Sequence, residues 1–215
     1  MWCRFLFVVG AAVLASACQR TPEEPAPSTT VTVAPTRAAP PVVTQLPTPS
    51  ASPEPSLVGR CVLQTPSAPP PPVASGAAPG CPRDPEPAQQ KLPVVVVAFQ
   101  ESGATVQAEL VSSDHDVERG LMYRKQMAED RGMLFRLDRR EHVFWMRNTC
   151  IPLDMLFIDD DGLVVGIVEN VPTLNDEHRT VGCPSSWVLE TNAGWSRRHG
   201  VKAGQKMTIP REARP

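Results

Sequence analysis

The sequence predicts a mainly β fold, a small antiparallel barrel-like sandwich with one or two short helices, spanning residues 92–211. Three observations lead there. Most of the 25 prolines fall between Thr21 and Pro93, so the rest of the chain is free to form regular structure. That remainder breaks into many short Val/Ile/Leu-rich runs separated by turn residues. Its densest part, His142 to Gly162 (HVFWMRNTCIPLDMLFIDDDG), places two apolar runs around a polar corner and ends in a turn.

In chain order, Arg4 precedes an apolar run, Phe5–Leu14, of ten residues. Such a run is too short to span a bilayer and reads as the core of a signal peptide, 1–18. It ends in Leu14-Ala15-Ser16-Ala17-Cys18, which resembles a bacterial lipobox although Ala15 stands where Leu is preferred. The expectation is a lipidated Cys18 and an exported chain anchored in the bacterial cell envelope, outer membrane or periplasm-facing. Cleavage near Ala17 without lipidation is the alternative. Residues 19–91 are rich in Pro, Ala, Ser and Thr, lack aromatic residues, and have little to bury. They read as a disordered tether.

Within the domain, Leu92–Phe99 and Thr105–Val111 read as strands. Asp114 and Asp116 suit the cap of a helix over Val117–Tyr123. Gly132–Phe135 starts a strand, and Asp138–Glu141 reads as a turn. Val143–Met146 and Leu153–Ile158 flank the Arg147–Asn148–Thr149–Cys150 corner. Asp161–Gly162 turns the chain into Leu163–Val168, making a hairpin. A loop follows from Pro172 to Pro184. Trp187–Glu190 is a strand, Ala193–His199 a helical turn ended by Gly200, and Lys206–Ile209 the last strand.

Several blocks point to a known family. They are Arg119-Gly120-Leu121-Met122-Tyr123-Arg124, Gly132-Met133-Leu134-Phe135, Phe144-Trp145-Met146-Arg147-Asn148-Thr149, Ile151-Pro152-Leu153-Asp154-Met155, and Val188-Leu189-Glu190 with Gly194. In order and spacing they resemble the exported family called domain of unknown function 192, over about Val106 to Ile209. The resemblance implies a compact, mainly β barrel-like domain and no established activity.

The polar members of these blocks are the candidate site. Arg119, Arg124, Arg147, Asn148, Asp154 and Glu190 could gather in a cleft, with Arg forks holding an acidic group and carboxylates taking hydroxyls. Trp145 joins them as a binding candidate. The competing reading is a structural network around the corner. Asp154 and Glu190 are the sole candidate catalytic pair, suited to glycosidase-like chemistry. Met122, Met127, Met133, Met146 and Met155 could bind copper(I), but core packing is the plainer account. Asp159–Gly162 reads as a turn rather than a calcium loop, and the four scattered histidines do not read as a zinc site. Trp187 and Trp195 read equally as sugar platforms or as core.

Net charge is −2, with no basic stripe, which excludes the usual footprint of nucleic-acid binding. No cofactor is expected. In an oxidising compartment, Cys150 and Cys183 are expected to pair, and Cys61 and Cys81 to close a second loop or to pair between molecules. The leading expectation is a monomeric, non-enzymatic, membrane-tethered binding or accessory module for a glycan or an envelope protein. An enzyme acting on envelope carbohydrate through Asp154 and Glu190 is the alternative, and a metal-handling protein the third reading.

Overall fold

A computed structural model describes residues 57–87 and 91–214. The signal segment, Cys18 and residues 19–56 of the expected tether lie outside the described residues.

The strands are β1 (Val94–Phe99), β2 (Thr105–Val111), β3 (Arg131–Arg140), β4 (Leu153–Ile158), β5 (Val164–Val171), β6 (Ser185–Asn192) and β7 (Met207–Thr208). Two short helices accompany them, α1 (Asp114–Arg119) and α2 (Trp195–Arg198), with a 3-10 turn at Arg211–Ala213. All seven strands form one curled sheet in the order β5-β4-β6-β3-β2-β1-β7. Every pair is antiparallel except β2 and β3, which run parallel. The 112–130 crossover that contains α1 makes that parallel pair possible. An isolated bridge between Leu163 and Lys206 brings the two outer edges of the sheet together at one end. The result is mainly β and barrel-like, built by curling a single sheet.

Strand alternation divides the core in two. Leu134, Leu156, Ile158 and Leu189 face the inside of the curl with Val97, Phe99 and Trp195. Met133, Phe135, Met155, Phe157 and Val188 face outward and pack under the corner with Met146 and Ile151. The central strands are therefore apolar on both faces, and β4 is buried at every position. Trp187 and Trp195 belong to the inner core, and Trp195 stacks on His199 at 4.6 Å. Met133, Met146 and Met155 are fully buried in the outer core, which leaves them to packing.

Four local expectations need correction. The helix begins at Asp114, not Val117. Ser113 caps it, its hydroxyl accepting from the Asp116 amide at 3.2 Å, and Asp114 and Asp116 lie in the first turn beside the positive helix end. Gly120 then ends it at φ 47°, a left-handed value that Tyr123 and Asn148 share nearby. The turn expected at Asp138–Glu141 is strand through Arg140. Val143–Met146 makes only the single bridge of Phe144 to Arg179.

The largest correction concerns the cysteines. Cys61 is bonded to Cys183 and Cys81 to Cys150, with Cα separations of 5.5 and 5.3 Å. The expected Cys150–Cys183 and Cys61–Cys81 pairings are both replaced. Counting Cys150 and Cys183 as the domain's own pair went wrong because residues 57–87, read as tether, lie on the domain as a strap. Arg60 binds Asp159 and Asp161 at the β4–β5 turn. The Leu63 amide donates to the Val165 carbonyl at 2.8 Å and so covers the open edge of β5. The carbonyls of Pro66, Ser67 and Ala68 surround the Arg197 guanidinium at 2.8–3.2 Å. The Ala78 amide donates to Cys150 at 2.8 Å, and Asp84 meets Arg119. Proline lacks a backbone donor, but its carbonyl still accepts, as those of Pro66 and Pro71 do from Arg197 and Asn170. Two disulfides also suit an oxidising compartment, outside the cytoplasm. Among the described residues no helix is long and apolar enough to cross a membrane.

Candidate functional site

The seven candidate residues separate into structural and cavity-lining groups. Arg124 makes a two-pronged ion pair with Glu109 on β2, at 2.7 and 2.5 Å. Asn148 is the hinge of the corner. Its φ is 55°, its carbonyl accepts from the Tyr123 amide at 2.8 Å, and its side-chain amide donates to the Tyr123 hydroxyl at 3.0 Å. Arg147 is exposed, pairs with Asp176 at 3.1 Å, and lies 5.0 Å from the Trp145 ring.

Asp154 is fully buried and fully engaged. One carboxylate oxygen accepts from the amides of Asn170 and Gly194, both at 2.9 Å, and the other from the Ser196 amide at 3.0 Å. It ties β5 and the start of α2 to β4. That is a structural clamp with no opening to solvent.

Glu190 is buried as well, but it faces the other way and is not engaged. It faces the same side as Val188 and Met155, its partner across the β4–β6 ladder, whereas Asp154 faces the opposite side of the sheet. Two catalytic carboxylates must flank one bond, so the paired-carboxylate enzyme reading does not fit this geometry. The Glu190 side chain is 4% exposed yet has no hydrogen-bond or ion-pair partner among the described residues. Burial alone pushes its carboxyl up to about 8. At neutral pH it is a protonated acid, able to donate and to accept.

Glu190 lines a cavity of about 300 Å³ on the outer face of the sheet. Phe135 and Phe144, edge-to-face at 5.1 Å, form one wall. Leu121, Met122 and Thr149 also line it, and Trp145, 38% exposed, stands at the rim. Arg119 and His142 complete the rim, the first held by Asp84 at 2.7 Å and the second by the Asp138 carbonyl at 2.8 Å. One glycine shapes the space: a Cβ on Gly120 would lie 3.3 Å from the Phe135 ring. Thus the cavity gathers Arg119, Trp145 and Glu190 from the candidate set, while Arg147 and Asn148 line a separate shallow depression with Gly80 and Pro82. His142, Phe144 and Thr149 were missed as site residues. The available signal was an acidic residue in phase with Val188 inside an apolar strand.

Fold and site together define a small curled β domain with a cavity walled on one side by aromatic rings and lined by a buried acid. A family model matches residues 95–209, and the chain belongs to that family, domain of unknown function 192 (DUF192; Uncharacterized ACR, COG1430). Among solved structures, the chain is similar to a Sinorhizobium meliloti 1021 protein described as a candidate transcription regulator. The two are 38% identical with a TM-score of 0.54, over 56% of this chain and 97% of that one. It is also similar to a protein of unknown function from Novosphingobium aromaticivorans DSM 12444. There the identity is 31% and the TM-score 0.54, over 63% of this chain and 94% of that one. None of the curated proteins matches the chain.

Proposed function

We propose that this chain is an envelope-tethered binding module whose Glu190 cavity takes a neutral sugar unit of an envelope glycan. The observation that carries the reading is the Glu190 carboxyl, buried, unpartnered and opening into a cavity rimmed by Trp145. A buried polar group without a partner is costly, and a ligand hydroxyl or amide would supply the missing hydrogen bond. An aromatic wall and rim suit the apolar face of a pyranose. Because the carboxyl is protonated at neutral pH, a neutral ligand is preferred over a cation. The candidate-regulator description of the Sinorhizobium protein is not carried over, since a net charge of −2 gives no field for a polyanionic duplex.

The lipid anchor at Cys18 and the segment before the strap would hold the domain near a membrane, within reach of such a glycan. Labelled palmitate retained on a Cys18→Ala chain would remove that part of the reading.

The direct test is calorimetric titration of the full chain with N-acetylated disaccharides. Binding is expected for the native chain and Glu190→Gln, and loss of binding for Glu190→Ala. No binding by the native chain, or equal binding by Glu190→Ala, would overturn the proposal.

A further inference from the structure

We propose that the open mouth of the barrel is a second binding site, for an anionic group carried by a small ligand, with Arg136 as its inner anchor and Arg140 and Arg214 as its outer ones. The mouth is a groove of about 1160 Å³, the larger of the two cavities around β3. Its walls come from the far end of β3, the start of β6, β7, the β4–β5 turn and the chain end beyond the 3-10 turn. The mouth of a small barrel is a common place for ligands, because converging strand ends supply polar groups around an apolar floor. Here Trp187, Met207 and Ile209 supply that floor.

The cations are the unusual part. Arg60, Arg119, Arg124, Arg147, Arg179 and Arg197 each hold a carboxylate within 4 Å. Arg136, Arg140 and Arg214 line the mouth, and none of them has an ion pair or a side-chain hydrogen bond among the described residues. Arg136 lies two residues along β3 from Leu134, on the strand face that looks into the curl, opposite Trp187. It is half buried there, and a guanidinium stays charged and needs acceptors.

The acidic groups of the mouth do not cancel this arrangement. Asp161 is held by Arg60 and Lys206, and Asp160 by Arg139. Asp114 and Asp138 remain, both exposed, against three arginines. The structure thus presents forked donors whose natural complement is a phosphate or a carboxylate. The mouth shares Arg140 and His142 with the Glu190 cavity, so an acidic saccharide has room to lie across both. The anion site stands without that reading.

Titration of the full chain with pyrophosphate and, separately, with citrate tests it and shows which acid is preferred. Binding is expected, weakening as salt rises. Arg136→Gln is expected to weaken it by about tenfold or more, the value of a charge-assisted hydrogen bond. Arg214→Gln should weaken it too, and as an exposed position it serves if the Arg136 variant does not fold. Arg131→Gln is the control, an exposed arginine at the opposite end of β3 that lines neither cavity. Absence of binding by both anions, binding unchanged in the mouth variants, or an equal loss in Arg131→Gln would overturn the proposal.

Discussion

Asp154 on β4 and Glu190 on β6 are both buried carboxylates, placed one residue out of phase on neighbouring strands, with Asp154 opposite Thr191 and Met155 opposite Glu190. That one-residue offset sends them to opposite faces. On the inner side Asp154 meets three backbone amides and becomes part of the frame. On the outer side Glu190 lines a cavity and has no hydrogen-bond or ion-pair partner among the described residues. The difference teaches how to read acids inside apolar strands. Burial alone does not mark a site; burial without a partner, beside a space, does.

Three experiments would break or sharpen this contrast. The largest effect is expected for Asp154→Ala, which strands three buried amides and loosens β5 and α2 together. A loss of about 3–5 kcal/mol is expected in denaturant unfolding. A loss below about 1 kcal/mol would mean the clamp is not what holds those elements.

The second concerns pH. The Glu190 carboxyl is raised from an ordinary 4.5 to about 8 in the folded chain. Between those values the folded chain keeps a proton that the unfolded chain has released, so Glu190 makes stability fall as pH rises through that window. The fall should amount to a few kcal/mol and level off above pH 8. Glu190→Gln should remove this slope, leaving the variant the more stable chain at pH 8. A slope unchanged in Glu190→Gln would show that Glu190 is not buried as an acid.

The smallest effect on stability is expected for Trp145→Ala. Trp145 is partly exposed and leans on Arg147 at the surface. A change within about 1 kcal/mol is expected, with saccharide binding lost. A large loss of stability with intact binding would make Trp145 a packing residue instead.

Much of the fold was legible because period and punctuation agreed. Thr105–Val111 and Leu153–Ile158 were read to the residue, and the hairpin at Asp161–Gly162 follows from its turn chemistry. The strap was not legible. Its composition carries little apolar surface, and it is held by two cross-links, by ion pairs of Arg60 and Asp84, and by scattered backbone hydrogen bonds with the domain. No local pattern announces a segment held from outside. The parallel β2–β3 pair was hidden for a related reason, since strand direction depends on the path of the crossover and not on the strands themselves. As for the site, Glu190 and Trp145 stood out as polar or aromatic members of the blocks. The arginines of the barrel mouth did not, because Arg136, Arg140 and Arg214 come together only when β3 and the chain end converge.

The disulfide connectivity has a consequence for how this chain is made. Along the sequence the four disulfide-bonded cysteines occur as Cys61, Cys81, Cys150 and Cys183, and the bonds are nested, the inner pair within the outer. A chain threaded through a membrane N-terminus first presents Cys61 and Cys81 to an oxidant well before Cys150 appears. Joining neighbours in order of arrival would give Cys61–Cys81 and Cys150–Cys183, a mispaired product. The native pattern needs thiols held open until Cys183 has emerged, or a catalyst that reshuffles early bonds by thiol–disulfide exchange. Production in a host compartment that oxidises without isomerising would therefore favour the trapped isomer.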